Sequence, residues 1–265
     1  MKQKLYIIKI GGALIDDEEL LNGFLVQFSE IKEKKILIHG GGKLATTLAD
    51  KLGIAQKLIN GRRITDKDTL DIVTMVYAGG INKNIVAKLQ QKNCNAIGFS
   101  GADANIIQAE KRIHPEIDFG FVGDINPQSI NKKLISELIS LNLVPVFSAI
   151  THDKKGNLLN TNADTIASVI AQALSEMYDV ELLYCFDKEG VLEDVDNPDS
   201  VIKNVSEESF SILKETGKLH KGILPKLENA LAAIKNNVNK VFLIKETELK
   251  NHIENHHAGT EICLS

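Results

Sequence analysis

Apolar β-rich runs alternate with amphipathic stretches along almost the whole chain. LYIIKI (5–10) reads as a buried strand, and DEELLNGFLVQFSEIK (17–32) as a helix with acidic residues at its start. KKILIH (34–39) predicts the next strand, followed by three glycines and a helical KLATTLADKLG that closes on Gly53. Thr65 and Asp68 form a capping pattern ahead of a long helical segment, about 66–91. CNAIGFS (94–100) and LVPVFSAI (143–150) read as further buried strands, with a hairpin-like region (about 104–125) and a helix (about 129–141) between them. ADTIASVIAQALSE predicts another helix and VELLYCF (180–186) another strand; the final third adds two helices and the strands KVFLI and EICLS. Strands separated by helices predict an α/β fold with a mostly parallel sheet covered on both faces. No repeat, low-complexity tract or Pro/Gly-rich linker divides the chain, so any two lobes share a continuous sheet.

Composition narrows the function classes. The 265 residues can bury a substantial core, and 43% apolar with 25% charged residues is ordinary for a soluble globular protein. A net charge of −4 without a polybasic run gives a nucleic-acid or anionic-membrane role no electrostatic support. The N-terminal apolar run is too short for a membrane span, and glycines interrupt it. Cys94, Cys185 and Cys263 lie far apart in apolar contexts and read as small buried hydrophobes, in keeping with a reducing cytoplasm.

Candidate chemistry gathers where strands end. KIGGAL puts Lys9 and the bare backbone of Gly11 and Gly12 at the carboxyl edge of the predicted sheet, where open α/β sheets bind ligands. HGGGK repeats the geometry at the second strand: glycines allow close backbone approach, and the helix behind them offers free N–H groups and a positive dipole end. The stretch matches neither GxxxxGK[ST] nor GxGxxG, so the loop alone is weak evidence; two such loops on successive strands suggest an anion held between them. The AGG at 78–80 lies inside a helical pattern and reads as packing. Arg62 and Arg63 in NGRRITD could grip a carboxylate bidentately or simply face solvent. In NLLNTNADT, Asn162 reads as a helix N-cap, which leaves Asn160 and Asp164 free for other work. Lys226, just after Pro225 and inside or entering a helix, reads by itself as a solvated helix lysine.

Taken together, IIKIGG, ILIHGGG, NGRRITD, AGGINKNIVAKL, VGDI, LVPVFSAI, LLNTNADT, GVLED and KGILPKLENAL resemble the amino acid kinase superfamily, and within it the N-acetylglutamate kinases of arginine biosynthesis. The resemblance runs nearly the full length of the chain and implies a three-layer αβα sandwich. It implies a lobe for acylglutamate binding and dimerisation over 1–170 and an ATP-binding lobe over 171–265. By the same resemblance, Lys9 and Lys226 neutralise the transferred phosphoryl group and Asp164 positions both. Gly11, Gly12, Gly41 and Gly42 supply backbone donors, the last two between the acylglutamate and the γ-phosphate. Arg63 clamps the substrate carboxylate with Asn160 as its partner, and Asp187 and Gly190 lie at the nucleotide. Lys43 drops out, as the start of the following helix. ATP would arrive with Mg²⁺, so no protein metal ligand is nominated.

Two departures from the family pattern bear on specificity. CFDKEG stands where the family has a Ser or Thr before Asp-Val and alters a loop expected near the nucleotide; FGFVGDI is unusual around the acyl pocket, which keeps N-succinyl-L-glutamate open beside N-acetyl-L-glutamate. Glutamate 5-kinase and carbamate kinase types are the alternatives within the superfamily. Carbamate has no α-carboxylate for Arg63 and Asn160, and a nicotinamide dehydrogenase lacks its glycine fingerprint here. Only eight residues precede Lys9, so the expected state is a homodimer without arginine feedback, paired through the 66–91 helix.

Overall fold

The strand Lys4–Ile10 (β1) is buried at all but its first residue, as is Lys34–His39 (β2) beside it. That two-sided burial is why both read as unbroken apolar runs rather than alternating ones. The computed structural model describes residues 2–59, 62–194, 196–216, 219, 222–255 and 258–264. Among these, Ala96–Phe99 (β3), Val144–Phe147 (β4), Asp179–Phe186 (β5), Asn204–Val205 (β6), Lys240–Lys245 (β7) and Thr260–Ile262 (β8) join β1 and β2 in one eight-stranded sheet. Its order is β6-β8-β7-β5-β1-β2-β4-β3, parallel throughout except where β7 meets β8. The chain leaves β1 toward β2 on one side and returns after β4 to lay β5 on the other. The carboxyl end of β1 is therefore a topological switch point, the place where such sheets bind ligands.

Helices cover both faces, which gives the expected three layers. A short helix, Gly12–Asp16 (α1), leads into Glu18–Glu30 (α2), capped by the Asp17 carboxylate accepting from Glu19 and Leu20 N–H. Gly42–Lys51 (α3) follows the second glycine loop. The expected long helix is continuous but not uniform: Lys67–Thr74 (α4) passes through a π-helical turn, Met75–Ile81, into Asn82–Gln91 (α5). Its cap is Asp66, which accepts from Thr69 N–H, and not Thr65. Thr65 is fully buried because Asn160 and the Phe119–Phe121 backbone engage it, so it is not available to cap. Lys132–Ser140 (α6), Ala163–Leu174 (α7), Glu207–Glu215 (α8), Leu224–Lys235 (α9) and Leu249–Asn255 (α10) complete the layers. The LVPVFSAI run divides at Ser148: Ile150–His152 leaves the sheet and pairs antiparallel with Leu158–Asn160. Cys94 and Cys185 are buried as expected, whereas Cys263, directly after the last strand, is half-buried.

Candidate active site

Lys9 lies at the carboxyl end of β1, in register with Tyr184 on β5 and Ile38 on β2. Strand pairing on both sides makes it only 5% exposed. A buried ammonium needs a counter-charge, and α7 supplies one. Asn162 caps that helix by accepting from Thr165 N–H, which places Asp164 in its first turn, where the helix dipole favours a carboxylate. The Tyr184 hydroxyl donates to the Asp164 carbonyl at 3.0 Å and ties the helix start to β5. Lys9 Nζ sits 2.7 Å from Asp164 Oδ1 as an ion pair, and Lys226 Nζ donates to Oδ2 at 3.2 Å.

Lys226 stands in the first turn of α9, behind Pro225, so its cation occupies the positive end of a helix. That breaks a local rule of helix design, and such breaks concentrate at functional sites. The result is one carboxylate between two ammonium groups. Burial lowers the Lys9 pKa below its ordinary value and Lys226 lowers it further, while Asp164 opposes both. Burial alone would raise the Asp164 carboxyl, but Lys9 and Lys226 outweigh it and hold the group below its usual range. The triad carries a net positive charge in a dry place, which suits a ligand that gains negative charge.

The two glycine loops have different physical requirements. Gly41 adopts φ +148°, and a Cβ there would come within 2.2 Å of Ile81 Cδ1. Ile81 and Tyr77 reach that position from the π-helical turn, so the loop and the turn fit each other. At Gly11 and Gly12 a Cβ would meet no heavy atom within 4 Å, so both face open space.

Lys9, Gly12, Gly41, Gly42, Arg63, Asn160 and Asp164 all border one cavity of about 560 Å³. Arg63 is held in place there: it donates to the Gly42 carbonyl at 2.9 Å, to Thr46 Oγ1 at 2.8 Å and to Gln56 Oε1. Asn160 Nδ2 donates to Thr65 Oγ1 at 3.1 Å, and its backbone N–H donates to Phe121 O. The Phe119–Gly123 segment thus stitches Arg63–Thr65 to Asn160. Gly120 (φ +71°) has the Thr65 carbonyl where a Cβ would go. Arg62, Arg112, Tyr77 and Val122 also border the cavity, and Arg112 is paired with Asp124. Lys43 borders it too, 3.6 Å from Asp16, though its side chain is largely exposed.

Sequence reasoning did not find Thr46, Gln56, Tyr77 or Arg112. Their partners are remote in sequence, and only the NGRRITD string hinted that something must hold its arginines. Asp187 is exposed directly after β5, away from this cavity's lining. Gly190 is buried, with Thr260 Oγ1 2.7 Å from where a Cβ would sit, so packing alone requires glycine there. Asn60, Gly61 and Lys221 of the matching strings lie outside the described residues.

A profile described as amino acid kinase family matches residues 4–245. An acetylglutamate kinase of Cytophaga hutchinsonii is 49% identical over 99% of this chain and 100% of its own length. Another, from Phocaeicola vulgatus, is 50% identical over 92% of this chain and 94% of its own. Among solved structures, smu.665 of Streptococcus mutans superposes with a TM-score of 0.81 at 26% identity, covering 98% of this chain and 99% of that one. The sheet, the charge triad and these likenesses agree: the chain belongs to the amino acid kinase family, among its acetylglutamate kinases.

Proposed function

We propose that the chain transfers the γ-phosphoryl group of ATP to the γ-carboxylate of N-acetyl-L-glutamate, giving the acyl phosphate and ADP. The observation that carries this is Asp164 between Lys9 and Lys226, at the edge of a cavity that also holds Arg63 and Asn160. The carboxylate nucleophile is already ionised, so no general base is needed. A carboxylate oxygen forms a bond to the γ-phosphorus as the bond to the β,γ-bridging oxygen breaks, and the leaving electrons stay on ADP. Such a transfer needs placement and charge neutralisation more than covalent help. Lys9 and Lys226 neutralise charge from two sides, and Asp164 holds them at distances their mutual repulsion resists. Gly11, Gly12, Gly41 and Gly42 supply backbone donors, and Arg63 and Asn160 hold the α-carboxylate end.

Residues 1–170 take the acylglutamate and 171–265 the ATP, with Asp187 and Gly190 on the nucleotide side. Mg²⁺ accompanies ATP and would shield its phosphate charge. Among the described residues no group of three or more His, Cys, Asp or Glu converges as a metal site. Two copies pair through the 66–91 helix, whose exposed Met75 borders an apolar groove with Leu44, Leu48 and Val76. A monomer in size-exclusion chromatography would contradict the dimer.

One observation favours N-succinyl-L-glutamate as a second reading. Arg62 borders the cavity besides Arg63, which gives a third carboxylate a cation to meet, whereas Arg112 there is already paired with Asp124. ADP release measured with N-acetyl-L-glutamate, N-succinyl-L-glutamate and L-glutamate separates the readings. The expected order places N-acetyl-L-glutamate first and the free amino acid last; turnover confined to L-glutamate would overturn the assignment.

A further inference from the structure

His39, the last residue of β2, immediately precedes the glycine loop and is fully buried. Its Nδ1 lies 2.9 Å from the Gly40 carbonyl, and its Nε2 lies 3.1 Å from Asn82 Nδ2. Asn82, also fully buried, begins α5 directly after the π-helical turn. The orientation of its amide is fixed by its other partners. Nδ2 donates to the Val146 carbonyl at 3.0 Å, so that end is the NH₂; Oδ1 accepts from Lys83 Nζ at 3.2 Å. Gly98 leaves room for this amide, since a Cβ there would fall 1.9 Å from Asn82 Oδ1.

Because Asn82 donates, His39 Nε2 must accept, and the ring proton is confined to Nδ1, which donates to Gly40 O. In a planar trans peptide, C=O and N–H point in opposite directions. Holding the Gly40 carbonyl toward the imidazole therefore turns the Gly41 N–H away from it. Asn82 and α5 lie on one face of the sheet, whereas Ala163 and Asp164 of α7, which border the cavity, lie on the other.

We infer that His39 and Asn82 are positioning residues that aim the Gly41 N–H into the cavity as a donor for the transferring phosphoryl group. Neither touches the reacting atoms. They link the long helix, β4 and the loop, so the loop's donor is set by the sheet and helix behind it. This rests on the proposed phosphoryl transfer. A preorganised donor costs no reorganisation during reaction, and losing one such donor lowers kcat by roughly 10²–10³-fold in other enzymes. Misdirecting one should cost at least about tenfold in kcat with smaller effects on KM.

Burial holds the imidazole at a pKa of about 4, with the Gly40 carbonyl opposing and the Lys83 ammonium reinforcing the shift, so the ring is neutral in any ordinary assay. The direct test is long-range ¹H–¹⁵N correlation on histidine-labelled protein, with His39 assigned by its loss in His39→Gln. The Nδ1–H tautomer is expected across pH 6 to 9, and an Nε2–H tautomer or an imidazolium would overturn the inference. Kinetically, Asn82→Leu should lower kcat at least about tenfold while KM for both substrates stays within about threefold.

Asn82→Asp is the second variant, since it keeps the shape of the site. Its new carboxylate makes Nε2 a donor, so the loop bond survives only while both ring nitrogens are protonated. Activity in that variant should fall with rising pH along a limb absent from the wild type, where Lys83 is the other charged group facing the pair. Wild-type kcat in both variants at every pH would refute the positioning role. A wild type that phosphorylates no acylglutamate would count against the proposed function instead, and the tautomer would still decide the hydrogen-bond chain.

Discussion

Replacing Asp164 by Asn keeps the shape of the side chain but removes the negative charge between Lys9 and Lys226. Lys9 is the residue that suffers, since it is buried and Asp164 is the group that pulls its pKa upward. Breaking a buried pair by removing one partner costs about 3–5 kcal/mol. A ceiling follows from proton release: the stranded ammonium can become neutral instead. From the ordinary lysine value of 10.5 down to pH 7, at about 1.36 kcal/mol per pH unit, that escape costs about 4.8 kcal/mol. The two figures agree, so the variant should lose about 3–5 kcal/mol at pH 7. At pH 9 the same ceiling falls to about 2 kcal/mol.

In the variant, native Lys9 is neutral while unfolded Lys9 is protonated, so the unfolded state binds more protons and stability rises with pH. Urea unfolding of both proteins at pH 7 and pH 9 measures this, with the loss relative to wild type shrinking at the higher pH. A loss that is equal at the two pH values, or below about 1 kcal/mol at pH 7, would refute the account of Asp164 as the counter-charge of a buried Lys9.

Other substitutions separate structure from chemistry. Gly12→Ala should fold normally, since its methyl meets nothing and alanine favours a helix by up to about 1 kcal/mol, yet kcat/KM should fall because the methyl enters the cavity. Gly41→Ala should instead lower stability by roughly 1–3 kcal/mol through its backbone angle and the contact with Ile81; thermal melts alongside kinetics distinguish the two. Lys226→Ala should cut kcat by roughly 10²-fold or more with little change in folding, and near-wild-type turnover would remove it from the mechanism. Arg63→Ala should chiefly raise KM for the acylglutamate. It should also lower the melting temperature by a few degrees, because the guanidinium restrains Gly42, Thr46 and Gln56.

The sheet was legible because its central strands are buried on both faces and so appear as plain apolar runs, two of them ending at glycines. The Asn162 cap and the helix behind it were legible for a similar reason, since local hydrogen bonding decides them. Thr65 was not: its hydroxyl is claimed by Asn160, 95 residues away in sequence, and Asp66 caps instead. The π-helical turn left no period of its own in the sequence; AGG read as packing, and its neighbours Tyr77 and Ile81 pack against Gly41. Lys9, Asp164 and Lys226 were ambiguous singly, and the family resemblance united them. Their common position follows from sheet order, which no local pattern encodes. Arg63 shows a further limit: the family resemblance implies a carboxylate clamp there, but not the three protein groups that already hold its guanidinium.

In the proposed reaction the Lys9–Asp164–Lys226 triad promotes transfer of a phosphoryl group to a carboxylate. Hydroxylamine trapping tests this directly, because an acyl phosphate yields a stable hydroxamate. With ATP and N-acetyl-L-glutamate, the wild type should form hydroxamate and ADP in equal amounts, and Lys226→Ala should form roughly a hundredth as much or less in the same time. ADP release without hydroxamate, or equal hydroxamate from both proteins, would contradict it.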